Sequence, residues 1–149
     1  MIAFDVNILV YAHREDQLDH AYYRARLQGT ILGKHAFGLS PLVAGGFVRI
    51  VTNPRFPNGP TPLPQALAVI DAMMNEANGH WLLPGKRHWE LVSRLCRSTG
   101  ATGKSIADAQ HAAVAIEHAC TWVSRDNDFF KFEQQGLNFE HWIPESRAS

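Results

Sequence analysis

The chain has 149 residues, of which 46% are hydrophobic and 19% are charged, and these proportions exclude a disordered chain and a coiled coil. Lys and Arg together number 14, as do Asp and Glu, so bulk charge gives no reason to expect a nucleic-acid or membrane partner. The two cysteines, Cys96 and Cys120, form no CxxC motif, which argues against a disulfide framework and favours a reducing compartment.

Two further features bear on localisation. No apolar run approaches the roughly 20 residues of a membrane span. Asp5 interrupts the segment in which an export signal would need its basic and apolar stretches. We therefore expect a cytoplasmic protein without a membrane partner.

Short apolar segments alternate with helical patterns along the whole chain. The predicted strands are 2–6, 37–40, 80–83, 121–124 and 139–143. Helices are predicted from residue 7, over 18–27, from Ser40-Pro41 to residue 51, from Thr61-Pro62 towards Gly79, along a face with Trp89, Val92 and Cys96, over 105–119, and over 126–132. This alternation predicts an α/β fold in one domain over 1–149, with a mostly parallel sheet covered by helices on both faces.

Charge is distributed unevenly. Residues 21–70 contain no acid, and their bases are Arg24, Arg26, Lys34, Arg49 and Arg55. Such a stretch is either an electrostatic landing area for phosphates or a set of solvated helix ends and loops, and the sequence leaves both interpretations open.

Four aspartates occupy related places in the predicted fold. Asp5 ends the first strand, Asp126 and Asp128 follow the strand 121–124, and Asp108 lies in the first turn of the helix before that strand. The carboxyl ends of parallel strands form the crevice in which ligands bind. Carboxylates brought together there repel one another unless a cation neutralises them, and Mg²⁺ or Mn²⁺ suits such oxygen ligands. That arrangement supports hydrolysis of a phosphodiester.

Each acid also has a structural alternative. Ser105 and Asp108 fit a capping box, and Asp126 fits an N-cap for the helix after it. Asp5 is harder to explain without a ligand, because a carboxylate in an apolar strand costs several kcal/mol unless it is paired or metal-bound. The eight histidines form no HxH or HxxxH pair, so they add nothing to the prediction of a metal site.

Four segments follow one another in order: DVNILVY at 5–11, SPLV at 40–43 with FVRIVTNP at 47–54, IADAQHAA at 106–113, and VSRDNDF at 123–129. Together they resemble the PIN-domain ribonucleases, and most of all the VapC-type toxins of bacterial toxin–antitoxin pairs. The resemblance covers nearly the whole chain. It implies a three-layer α/β/α fold, a cluster of acids that binds Mg²⁺ or Mn²⁺ for RNA cleavage, a homodimer, and a cognate antitoxin protein as partner.

The resemblance also assigns residues to the site. The implied catalytic and metal-binding acids are Asp5, Asp108 and Asp126, with Asp128 as a further or alternative ligand and Asn7 and Ser124 as supporting polar residues. One position departs from the family, which normally has a glutamate in the helix after Ser40-Pro41, where this chain has Gly46. Either Gly46 is a natural or introduced substitution that weakens the nuclease, or the site works with three acids and water.

Three hypotheses follow. The leading one is a Mg²⁺-dependent endoribonuclease toxin, in which Arg49 and Arg55 orient the RNA backbone or serve only as structural or solvated cations. The alternative is a catalytically inactive PIN domain that binds RNA or an antitoxin. An aspartyl-phosphate phosphohydrolase with Asp5 as nucleophile is disfavoured, because Asn7 stands where such enzymes want a second carboxylate.

Overall fold

A single parallel sheet organises the computed structural model, which describes residues 1–147. Its strands are β1 (Ile2–Phe4), β2 (Phe37–Leu39), β3 (Gly79–Trp81), β4 (Thr121–Ser124) and β5 (Asn138–His141). They lie in the order β3-β2-β1-β4-β5, and all four pairings are parallel. The predicted α/β class is confirmed, and the sheet is parallel throughout.

Helices connect the strands. They are α1 (Val6–His13), α2 (His20–Ile31), α3 (Pro41–Val51), α4 (Leu63–Met74), α5 (His88–Thr99) and α6 (Ser105–Glu117), followed by 3₁₀ helices at Asn127–Gln135 and Glu145–Arg147. Connections between parallel strands are right-handed. The chain first runs from β1 through β2 to β3, which places α1 to α4 on one face of the sheet. It then returns past β1 to β4 and β5, which places α5, α6 and the first 3₁₀ helix on the other face. The packing agrees, since α1 contacts α2 and α3, whereas α5 contacts α6 and both contact the first 3₁₀ helix.

The site-forming crevice lies between β1 and β4. From β1 the chain turns to one side to form β2, whereas β4 pairs with β1 on the other side. Phe4 is opposite Val123, and the Asp5 amide continues the ladder by donating to the Val123 carbonyl at 2.9 Å. Strand ends at such a change of direction are where parallel sheets bind ligands.

Short-range sequence signals account for several boundaries of the helices and strands. Ser40 caps α3, with its Oγ accepting from the Leu42 amide at 3.1 Å, and Pro41 is the first helical residue, as predicted. The first strand ends at Phe4 rather than residue 6, because Asp5 already caps α1. α4 ends at Met74, and Gly79 begins β3 instead of ending the helix.

The predicted face of α5 is buried at Val92 and half-buried at Cys96, but the placement of Trp89 on it was wrong. Trp89 is 69% exposed, and the buried stripe consists of Leu91, Val92 and Leu95. At 3.6 residues per turn, Trp89 projects about 110° away from the centre of that stripe. The stripe with two leucines is therefore the buried one, and Trp89 faces solvent.

Aromatic packing holds the central strand in place. The Phe4 ring lies 6.1 Å from Phe37 and 5.9 Å from Trp142, measured between ring centroids, and all three rings are buried. The end of β1, directly before Asp5, is thus packed against aromatic rings on two sides. Among residues 1–147, no helix has the length and apolar character needed to cross a bilayer.

Candidate metal centre

Asp5 is a buried carboxylate with two hydrogen bonds. One oxygen accepts from the Val6 amide and the other from Ser124 Oγ, both at 2.7 Å, and the residue is only 8% exposed. Burial raises the pKa of Asp5 to about 6, although these two hydrogen bonds act to lower that pKa, and the charge of Asp126 raises it further. The Asp5 carboxyl therefore titrates closer to neutral pH than an exposed aspartate does.

Ser124 links the ends of β1 and β4. Its Oγ donates to Asp5 and accepts from the Asn7 side-chain amide at 3.1 Å and from the Asp126 backbone amide at 2.9 Å. The Asn7 side-chain oxygen accepts from the Arg125 amide at 3.4 Å. Ser124 therefore positions the Asp5 carboxylate and the Asp126 backbone, and Asn7 supports this arrangement through Ser124 and the Arg125 amide.

Three further carboxylates come together beside Asp5. One oxygen from each of Asp108, Asp126 and Asp128 lies within 4.8 Å of the other two. Burial raises the pKa of Asp108, and the negative charges of Asp5 and Asp126 raise it further. Because these acids repel one another, a divalent cation would stabilise their ionised forms.

The structural alternatives have different outcomes. Asp126 does cap the first 3₁₀ helix, accepting from the Asp128 amide at 2.9 Å, and this role uses one of its two carboxylate oxygens. The capping box at Asp108 is absent. Ser105 Oγ instead accepts from the Thr102 amide and donates to the Thr102 carbonyl, and within residues 1–147 no hydrogen bond reaches the Asp108 carboxylate.

A groove of about 510 Å³ contains most of the predicted site. Its lining includes Asp5, Asn7, Asp108, Asp126 and Arg49. Ser124 lies buried directly beneath, and Asp128 joins the carboxylate cluster from the rim. Arg55 is exposed in the proline-rich loop and does not line the groove, although its neighbour Phe56 does.

Two groove residues on α6 or directly before it were not predicted from the sequence. His111 on α6 and Lys104, which precedes α6, line the groove together with Asp108. The His111 ring stacks on Trp122 with 5.5 Å between centroids and 15° between planes, and burial lowers the pKa of His111. Their spacings of three and four residues from Asp108 are the signal in the sequence, whereas the spacing of the histidines from one another gives none.

Gly46 lies on the groove side of α3. A Cβ placed there would meet Val6 Cγ2 at 3.0 Å, whereas one placed at Gly45 would meet no atom within 4 Å. Val6 lines the groove, as do Arg49 and Ile50 one turn further along α3. The position at which the family normally has a glutamate thus points towards Val6 at the groove wall, and a side chain there requires Val6 to move by a few tenths of an ångström.

The bases of 21–70 do not form one patch at the groove. Arg26 pairs with Glu140 at 3.4 Å and lies over the Trp142 ring at 4.1 Å. Arg24 lines a separate cleft between α1, α2 and α4. Within the described chain, Arg49 is the one base of this stretch that lines the groove, so a landing area for phosphates would depend on it and on Lys104.

The donor set fits a hard divalent cation. The clustered carboxylates are Asp108 on α6 and Asp126 and Asp128 in the segment after β4. Asp5, directly after β1, lines the same groove but does not belong to that cluster. The charges of Asp5 and Asp126 disfavour ionisation of Asp108. Mg²⁺ and Mn²⁺ prefer oxygen ligands of this kind. Their roles as metal ligands remain a prediction.

Comparisons with known proteins agree with this architecture. Residues 2–134 match the family model of the PIN domain. Ribonuclease VapC43 of Mycobacterium tuberculosis is 40% identical over 141 residues, which are 95% of this chain and 95% of that protein. Ribonuclease VapC25 of the same species is 36% identical over 132 residues, 89% of this chain and 93% of that protein.

Solved structures share the fold at lower identity. The M. tuberculosis toxin VapC20, described as cleaving the sarcin–ricin loop, superposes with a TM-score of 0.67 at 14% identity, covering 97% of this chain and 100% of that one. VapBC2 of Rickettsia felis, solved with a DNA fragment of its promoter, also gives 0.67, at 18% identity over 96% and 100% of the two chains.

Proposed function

The chain belongs to the PIN domain family, among the VapC ribonucleases, and from that premise we propose that it is a Mg²⁺-dependent endoribonuclease toxin of a toxin–antitoxin pair. The observation that carries the proposal is the convergence of aspartates from three separate elements on one groove. Asp5, Asp108 and Asp126 would hold the ion, with Asp128 as a further ligand, and Mn²⁺ would substitute for Mg²⁺. The bound ion would supply an activated water and stabilise charge on the scissile phosphate.

The residues of the chain have distinct tasks in this proposal. Ser124 and Asn7 hold Asp5 and Asp126 in position through hydrogen bonds across β1 and β4. Asp5 must lose its proton to act as a ligand, and its raised pKa makes this step depend on pH near 6. Arg49, exposed on the groove wall, would bind a backbone phosphate of the RNA.

Partners follow from the same kinship. An RNA with unpaired loop bases is the substrate class we propose, because sequence-specific recognition of RNA depends on bases that can be splayed out. A cognate antitoxin that blocks the groove and a homodimeric assembly are further proposals, which rest on the family resemblance.

A second candidate function has one observation in its favour. Gly46 supplies no carboxylate on the groove side of α3, so the acid set is smaller than the family normally has. The alternative is therefore a catalytically inactive PIN domain that binds RNA or an antitoxin without cleaving.

The two candidates are separated by incubating a pool of structured RNAs with the wild-type chain and Mg²⁺. The nuclease proposal predicts cleavage that chelation abolishes and that Asp108→Asn lowers by at least about 100-fold. Asp71→Asn, an exposed acid on α4, is the matched control and should cleave as the wild type does. Binding without cleavage would favour the inactive alternative, and absence of both would contradict the two proposals.

A further inference from the structure

A second pocket, of about 700 Å³, opens on the far side of Asp126. Arg125, Asp126, Phe130 and His141 line it, and the catalytic proposal uses only Asp126 among them. Asp126 also lines the groove of the candidate metal centre, so this pocket and that groove share one wall. A polymer whose phosphate lies at the acids would extend directly into this pocket.

Phe130 gives the pocket an exposed aromatic ring. It is 47% exposed, whereas the adjacent Phe129 is buried in the core. Its ring is held edge to face, with centroids 4.8 Å from Phe139 and 5.6 Å from His141. A ring fixed in this way loses little side-chain freedom on binding, and aromatic side chains are the surfaces on which unpaired nucleobases stack.

Arg125 gives the pocket a positive charge. Its guanidinium lies 4.0 Å from the Tyr11 ring centroid, and its Nε donates to the Tyr23 hydroxyl at 3.3 Å. Within residues 1–147 no carboxylate lies within salt-bridge distance of Arg125, whereas the neighbouring Arg147 is paired with Asp19 at 2.7 Å. Arg125 is therefore a positioned cation whose charge is available to a phosphate.

We propose that this pocket binds an unpaired nucleotide of the RNA next to the scissile phosphate. The base packs on Phe130 and the phosphate lies at Arg125, so the pocket selects single-stranded or loop RNA over duplex. The inference deepens the proposed nuclease function and rests on it. The pocket combines a cation with an aromatic ring, and it shares Asp126 with the carboxylate cluster. This combination favours a nucleotide over a protein segment as the occupant.

The test measures binding rather than cleavage, so it does not depend on the effect of Gly46. A labelled RNA hairpin with a randomised unpaired loop, and a fully paired duplex of matched length, are titrated with protein in Ca²⁺ and followed by fluorescence anisotropy. Phe130→Ala should weaken hairpin binding by about tenfold and duplex binding much less, because one base–aromatic stack is lost. Phe130→Trp should restore hairpin binding.

Trp81→Ala is the matched control, because Trp81 is also 47% exposed but lies on β3 at the opposite edge of the sheet from β5. It should bind the hairpin as the wild type does, and Phe130→Ala should bind Mn²⁺ as the wild type does in calorimetry. If the wild type binds the hairpin and Phe130→Ala binds it equally well, the subsite is contradicted while the nuclease proposal stands. Loss of Mn²⁺ binding in Phe130→Ala would make Phe130 structural, and failure of the wild type to bind either RNA would contradict the proposed function itself.

Discussion

The groove of the candidate metal centre has a strand side, formed by Asp5, Ser124 and Asp126, and a helix side, formed by Gly46 on α3 and Asp108 on α6. On the strand side the Asp5 carboxylate accepts two hydrogen bonds, and the Ser124 hydroxyl ties it to the Asp126 backbone. On the helix side no hydrogen bond from residues 1–147 reaches Asp108, and position 46 carries no side chain. Hydrogen bonds within the protein order the strand side, whereas the helix side has no such bonds among the described residues.

This difference follows from burial. Asp5 is almost fully buried, and a buried carboxylate without partners would cost several kcal/mol, so its two hydrogen bonds offset part of that cost. Asp108 is half-buried on the first turn of α6, where solvent and the positive end of the helix dipole stabilise its charge without a fixed partner.

The largest expected effect concerns the strand side. The folded pKa of Asp5, about 6, lies above its unfolded value, so the folded state binds the extra proton and loses relative stability as pH rises from about 4 to about 6. In chelator, the free energy of unfolding attributable to Asp5 should fall by about 3 kcal/mol across that window, since each pKa unit corresponds to about 1.4 kcal/mol. Urea unfolding of the wild type and of Asp5→Asn at several pH values measures this difference.

Saturating Mn²⁺ sharpens the same comparison. Because the cation competes with the proton, it should stabilise the wild type above pH 6 and little below pH 4. If Asp5→Asn has the same pH dependence as the wild type in chelator, Asp5 does not carry the burial cost that we assign to the strand side.

A smaller effect is expected on the helix side. Gly46→Glu should raise Mg²⁺-dependent RNA cleavage by about tenfold, because it adds a carboxylate at the groove wall. Gly46→Ala is the control, since it meets Val6 and stiffens α3 in the same way but adds no charge. Equal cleavage by the two variants would show that a missing carboxylate is not what limits this site.

Local patterns in the sequence predicted the framework of the fold. The Ser40-Pro41 pair marked the start of α3, and the apolar segment 121–124 matched β4 residue for residue. Both are short-range signals, set by a cap and by strand burial. Helix faces were harder to predict, because Trp89 and Leu91 offered competing stripes and only tertiary packing decides between them.

The site was predictable where residues end strands and less so where helices approach it. Asp5 and Asp126 follow β1 and β4, so the pairing of these two parallel strands brings the residues together regardless of loop conformation. His111 reaches the groove from α6, three residues after Asp108, and Arg55 lies outside the groove in the proline-rich loop. Residues 148 and 149, part of the predicted domain span, lie outside the described residues.

The central claim is that aspartates from both sides of the groove share one divalent cation, and Mn²⁺ titration by calorimetry tests it most directly. The wild type should bind Mn²⁺, Asp5→Ala and Asp108→Ala should each lose about 10- to 100-fold or more in affinity, and Asp71→Ala should bind as the wild type does. Unchanged Mn²⁺ affinity in both Asp5→Ala and Asp108→Ala would contradict the shared site.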